Sequence, residues 1–132
     1  VAMLSFSNFG TSGELRTDRI EEAVSIAREL DPDLTIDGPM QADTALVPAI
    51  QEDYPFMAFD GPANVLICPN LASANIAYKL LQRIAGAEMT GPILEGLSKP
   101  AHVLQRGDSV RDVVHMAAIC AVDAQRHARQ RL

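Results

Sequence analysis

Short apolar runs that alternate with stretches of helical spacing set the tightest limit on what this chain can fold into. Residues 1–6 and 63–68 are apolar runs without strict alternation, and Leu34-Thr35-Ile36-Asp37 reads as a second short strand between them. Strands covered on both faces need that pattern, whereas one-sided antiparallel strands alternate. Between the first two of these segments, Asp18 and Glu21 open a helix with an inner stripe of Ile20, Ala23, Val24, Ala27 and Leu30, and Asp31-Pro32-Asp33 stops it. Gly38-Pro39 reads as a turn, and residues 41–46 read as a short helix interrupted by Pro48. After the third segment, Pro69-Asn70 leads into a helix with Ile76, Ala77, Leu80, Leu81 and Ile84 on one face, ended by Gly86. Two further apolar runs, 91–94 and 101–104, are joined by a short connection and read as an antiparallel hairpin. The pattern predicts an α/β fold: a mostly parallel sheet with helices on both faces. The 132 residues suffice for one domain with a real core, so residues 1–132 are read as a single domain.

In such folds, ligands bind beyond the carboxyl ends of the strands. Those ends are Ser7-Asn8, residues 38–43, Pro69-Asn70 and Gln105-Arg106. The loop over residues 5–13 is rich in Ser, Asn and Gly. It could offer N–H groups and hydroxyls to an anion, or serve as a plain connector. Asn70 could cap the following helix or contact a ligand. Asp37 and Asp43 could flank a divalent cation. Two carboxylates without a third ligand favour strand-end and helix-start roles instead, so no metal site is expected.

The richest stretch is Gln105-Arg106-Gly107-Asp108-Ser109-Val110-Arg111-Asp112, which opens the longest helical pattern. The stripe of that helix is Val110, Val113, Val114, Ala117, Ala118, Ala121 and Ala124. Gly107 supplies a turn and Ser109 stands at the N-cap with an acid three residues later. A helix N-terminus favours an anion, and Arg106 adds a permanently charged fork suited to phosphate. With Asp112 as a carboxylate base nearby, the group could serve acyl-phosphate or thioester chemistry. The same residues also make an ordinary capping box beside a surface cation. Arg106-Gly107-Asp108 spells an adhesion tripeptide by chance.

Composition narrows the partners. A net charge of −6 argues against nucleic acid and anionic membranes, and the absence of Trp removes an easy stacking platform for single strands. Cys68 and Cys120 lie in apolar runs and read as buried, reduced thiols without zinc-site spacing. No segment reaches membrane-spanning length or reads as a signal peptide, which points to the cytoplasm. A first residue of Val1 inside a strand suggests a piece of something longer.

The ordered motifs resemble the phosphate acetyl/butyryltransferase family. They are residues 1–7, 36–43 (Ile-Asp-Gly-Pro-Met-Gln-Ala-Asp), 63–71 (Ala-Asn-Val-Leu-Ile-Cys-Pro-Asn-Leu), 75–80, 91–94 with Lys99-Pro100, and 105–112. The resemblance covers essentially the whole chain and corresponds to the carboxy-terminal part of that fold, which is three-layered and like isocitrate and isopropylmalate dehydrogenases. It implies transfer of an acyl group between coenzyme A and phosphate. Arg106 would stabilise developing charge and Asp112 would take the thiol proton. Ser7, Asn8, Asn70, Gln105, Arg106 and Ser109 are the candidates for binding acyl-CoA or phosphate. Two positions depart from the pattern: Gln105 stands where active transacetylases have serine, and Asp108 replaces a cysteine. A carboxylate ~4 Å from phosphate costs about 1–4 kcal/mol in a wet site.

Residues 102–107, His-Val-Leu-Gln-Arg-Gly, look more like the version fused to the carboxy-terminus of NADP-dependent malic enzymes. That version is regarded as a regulatory and oligomerisation domain binding acetyl-CoA. This implies partners in the rest of a malic enzyme chain and in a second copy. NADP, a divalent metal and malate decarboxylation would belong to the other part of the chain, with no cofactor here. The alternatives are an active acyltransferase and an assembly module without ligand.

Overall fold

A computed structural model describes residues 1–10 and 15–129. They divide into two compact units, Val1–Lys79 and Leu80–Leu132.

In the first unit, β1 (Ala2–Leu4) is the central strand of a three-stranded parallel sheet, flanked by β2 (Asp37–Met40) and β3 (Leu66–Ile67). Parallel neighbours require crossovers, and helices supply them. They are α1 (Leu15–Leu30) between β1 and β2, then α2 (Ala42–Leu46) and α3 (Pro48–Gln51) between β2 and β3. Pro48 opens α3 at its first position, where a missing N–H costs nothing. Ala2, Met40 and Ala45 form the core, with Leu4, Phe9, Met57, Phe59 and Ala63 packed around it. Ile20 and Val24 of α1 are buried as its stripe predicts, but Leu30 is 82% exposed at the helix end.

The second strand begins later than the sequence suggests. Residues 34–36 precede it, and Gly38-Pro39 lies inside it rather than turning the chain. β2 is an edge strand, where a residue without N–H is tolerated. Gly38, at φ +142°, lies so close to β1 that a Cβ there would stand 2.5 Å from the Met3 carbonyl oxygen. A side chain is excluded at that position. The Gly38–Pro39 peptide bond is cis, and the Pro39 carbonyl accepts from Phe9 N–H at 2.7 Å.

β3 also departs from expectation. As the other edge strand it leaves Val65, Leu66 and Ile67 about two-fifths exposed, so this run is not a buried strand here. Helix α4 (Leu71–Ile84) buries none of its residues, and Ile76, Leu80, Leu81 and Ile84 are all more than half exposed.

The second unit is built around α5 (Val110–Arg129). Residues 91–94 and 101–104 are not strands and form no hairpin. What joins them is a side chain: Leu94 N–H donates to His102 Nδ1 at 3.3 Å. The face that α5 turns inward is also not the Val/Ala stripe. Val110, Val113, Val114, Ala117, Ala118, Ala121 and Ala124 are all exposed, while Met116 is buried and Ile119, Cys120, Asp123 and His127 are half-buried. At about 100° per residue the two sets are centred about 125° apart around the helix. Cys68 and Cys120 are free thiols, half-buried rather than buried. Among the described residues, no helix is long and apolar enough to cross a membrane.

Candidate anion site at the head of the last helix

Residues 105–112 fold as two consecutive clips. The first is a turn in which Asp108 N–H donates to the Gln105 carbonyl at 3.1 Å. Gly107, at φ +94°, takes the left-handed position that such a turn requires. Asp108 closes it from the other side, its Oδ2 accepting from Gln105 N–H at 2.6 Å. The carboxylate expected to oppose phosphate is therefore engaged with the backbone of its own turn.

The second clip is the capping box. Ser109 Oγ accepts from Asp112 N–H at 3.2 Å, and Asp112 Oδ2 accepts from Ser109 N–H at 2.8 Å and from Ser109 Oγ–H at 2.7 Å. These hydrogen bonds from the Ser109 hydroxyl and N–H stabilise the ionised form and hold the Asp112 carboxyl below its ordinary value of 3.8. A carboxylate so stabilised is a weaker base than an unbonded one.

Arg106 lies within the first clip, exposed, and among the described residues no hydrogen bond or ion pair reaches its guanidinium. The backbone N–H groups of the first helical turn have no intrahelical acceptor. Arg106 is therefore an unpaired cation beside a helix head that already carries the Asp108 and Asp112 carboxylates. By contrast Arg111, one turn away, is spent in a bidentate pair with Glu88 at 2.6 and 2.8 Å.

The remaining candidates belong to the first unit. Parallel pairing puts the loops after β1, β2 and β3 at one edge of that sheet. Ser7 and Asn8 lie in the first of these. Asn8 Nδ2 donates to Gln41 Oε1 and to the Tyr54 hydroxyl, its Oδ1 accepts from Gln41 N–H, and Gln41 Nε2 donates to the Phe6 carbonyl. The amide thus fastens the β1 loop to the start of α2. Ser7 is buried beside it. Residues 11–13 of the predicted Ser/Asn/Gly loop lie outside the described residues. Asn70 caps α4, its Oδ1 accepting from Ser73 N–H at 2.9 Å.

Asp37 and Asp43 hold backbone rather than flanking an ion. Asp37 Oδ1 accepts from Gly38 N–H and from Arg28, and Oδ2 accepts from Ala58 N–H; Asp43 Oδ1 accepts from Thr44 N–H. Among the described residues, no group of three or more His, Cys, Asp or Glu could hold a metal ion.

Sequence reasoning passed over Gln41, Tyr54 and the pair His102–Asp123. A second stripe on α5 (Met116, Ile119, Cys120, Asp123 and His127) was the available signal for the pair. It was masked by the more strongly apolar Val/Ala stripe.

The family model for phosphate acetyl/butaryl transferase matches residues 1–121. A phosphate acetyltransferase of Acetivibrio thermocellus is 47% identical over 126 residues, covering 95% of this chain and 38% of that protein. An NADP-dependent malic enzyme of Salmonella typhimurium is 46% identical over 128 residues, covering 95% of this chain and 17% of that protein. A phosphotransacetylase structure from Streptococcus pyogenes superposes with a TM-score of 0.89 at 43% identity, over 95% of this chain and 38% of that one.

The chain belongs to the phosphate acetyl/butyryltransferase family. Its fold is the α/β, parallel-sheet fold of phosphotransacetylases, of which it spans about two-fifths. The same segment occurs both in phosphate acetyltransferases and within much longer malic enzymes.

Proposed function

We propose that this segment is the phosphotransacetylase-like domain of an NADP-dependent malic enzyme, where it binds acetyl-CoA as a cytoplasmic regulatory and oligomerisation domain. The observation that carries the reading is the division of labour at the head of α5. Arg106 is unpaired among the described residues, while Asp112, the residue that would deprotonate a thiol, is bonded twice by Ser109 and held below the ordinary carboxylate range. That arrangement favours holding an anionic group over activating a thiol. Gln105 fits the same reading, since its side chain lacks the hydroxyl that a transferase offers at that position. Oxidation and decarboxylation of malate, with NADP and a divalent metal, fall to the remainder of the longer chain. The exposed Val/Ala stripe of α5 supports pairing with a second copy, because small side chains let two helices approach closely.

A second reading is an active acyltransferase. It is supported by several phosphate acetyltransferases of 43–47% identity and by Asp112 Oδ1, which accepts no hydrogen bond among the described residues. Titration of acetyl-CoA into the complete natural chain that carries these residues, with acyl transfer to phosphate assayed alongside, separates the two. Binding without transfer supports the regulatory reading, and robust transfer replaces it with the second.

A further inference from the structure

Within the second unit, one polar pair lies apart from the site just described. The His102 imidazole is only 4% exposed, and its Nε2 lies 3.2 Å from Asp123 Oδ2, itself 19% exposed. The ring's other nitrogen, Nδ1, accepts from Leu94 N–H. That hydrogen bond fixes the tautomer: the ring proton is on Nε2 and is donated to Asp123. Cys120, one turn earlier on the same face of α5, donates Sγ–H to the Pro100 carbonyl at 3.8 Å. The segment leading to Arg106 is therefore tied to the middle of α5 by His102 and Pro100, and to its beginning by the Ser109 cap.

Gln105 follows His102 by only three residues, about 10 Å of extended backbone, so the tie at His102 limits where the turn that carries Arg106 can lie.

We propose that His102 and Asp123 are a positioning pair for Arg106, a buried tie that holds the Gln105–Asp108 turn in place at the head of α5. The inference rests on the reading that Arg106 holds the anionic ligand. It adds two residues that touch no ligand to the determinants of affinity.

The test uses the complete natural chain and acetyl-CoA as probe, measured by calorimetry in Asp123→Ala, Asp123→Asn, Arg106→Ala and the Asp123→Ala/Arg106→Ala double variant. Asp123→Ala is expected to lower affinity about tenfold. Asp123→Asn is expected to restore it to within about twofold, because an amide oxygen still accepts the Nε2 proton. Asp123→Ala should add nothing once Arg106 is gone, whereas general destabilisation would weaken the double variant further. Amide exchange at Gln105 and Asp108 gives a second readout that needs no ligand and should accelerate in Asp123→Ala but not in Asp123→Asn. Wild-type affinity and unchanged exchange in Asp123→Ala overturn the pair's role while leaving the Arg106 site intact. Full affinity in Arg106→Ala overturns the site reading and the proposal with it. Accelerated exchange in Asp123→Ala would then place the failure at the ligand site rather than at the tie.

Discussion

The two units are held together by different means. In the first, a small dry core of Ala2, Met40 and Ala45 is closed by buried polar groups whose partners are mostly backbone. Asp37 fastens Arg28, Gly38 and Ala58, and Gln51 fastens Thr44 and Gly61 through both ends of its amide. In the second, Met116 is the only buried apolar residue among those described. Its long helix is secured by hydrogen bonds at Asp112, Cys120 and Asp123 instead. Packing is stiff because voids and overlaps are both costly. A set of separate polar ties can yield one at a time. The first unit is therefore expected to be the stiffer of the two, and the second the one whose ties can be released singly.

The sharpest way to break the contrast is at Gly38. A Val there places Cβ against the Met3 carbonyl at a φ that β-branched residues avoid, so Gly38→Val is expected to cost about 3–5 kcal/mol or abolish folding of the first unit. Denaturant unfolding followed by circular dichroism measures it. Asp37→Ala removes the acceptor for two backbone N–H groups and Arg28, with an expected loss of about 2–4 kcal/mol in the same experiment.

Effects on the second unit are smaller. Ser109→Ala removes the N-cap of α5 and should cost about 1 kcal/mol. It should also let the Asp112 carboxyl rise toward 3.8, which a carboxyl NMR titration reads directly. The pH dependence has a definite sign. The folded value of Asp112 is below the unfolded one, so its contribution is complete above about pH 3.8 and is lost as pH falls through the lower folded value. At the bottom of the scale, Arg111→Ala breaks a pair whose side chains are 62% and 72% exposed and should change stability by under ~0.5 kcal/mol. A loss several times larger would mean that the second unit draws more on surface charge than its geometry implies.

The same contrast explains what was legible in the sequence. Periodicity located α1, α4 and α5, because helical spacing survives whatever face is covered. It misjudged which faces are covered: in α5 the apolar Val/Ala stripe faces outward, while the inward face carries Asp123 and His127. Hydrophobicity reports what a residue prefers, and a helix apolar on two sides leaves the choice open. Gly38-Pro39 read as a turn because local propensity favours turns for both residues. An edge strand pressed against Met3 overrides it. At the head of α5 the Gly107 turn and the Ser109–Asp112 cap were legible, since capping and turn chemistry are local and survive without tertiary context. The roles were not fully visible: the engagement of Asp108 with Gln105 and of Asn8 with Gln41 and Tyr54 depends on geometry alone.

The central claim is that Arg106 at the head of α5 holds an acyl-CoA without catalysing its transfer. The most direct measurement is calorimetric titration of acetyl-CoA into the complete natural chain, wild type against Arg106→Ala, with acyl transfer to phosphate assayed on the same samples. Saturable binding in the wild type, reduced at least tenfold by Arg106→Ala and unaccompanied by transfer, is the predicted result. Robust transfer by the wild type, or undiminished binding by the variant, would contradict it.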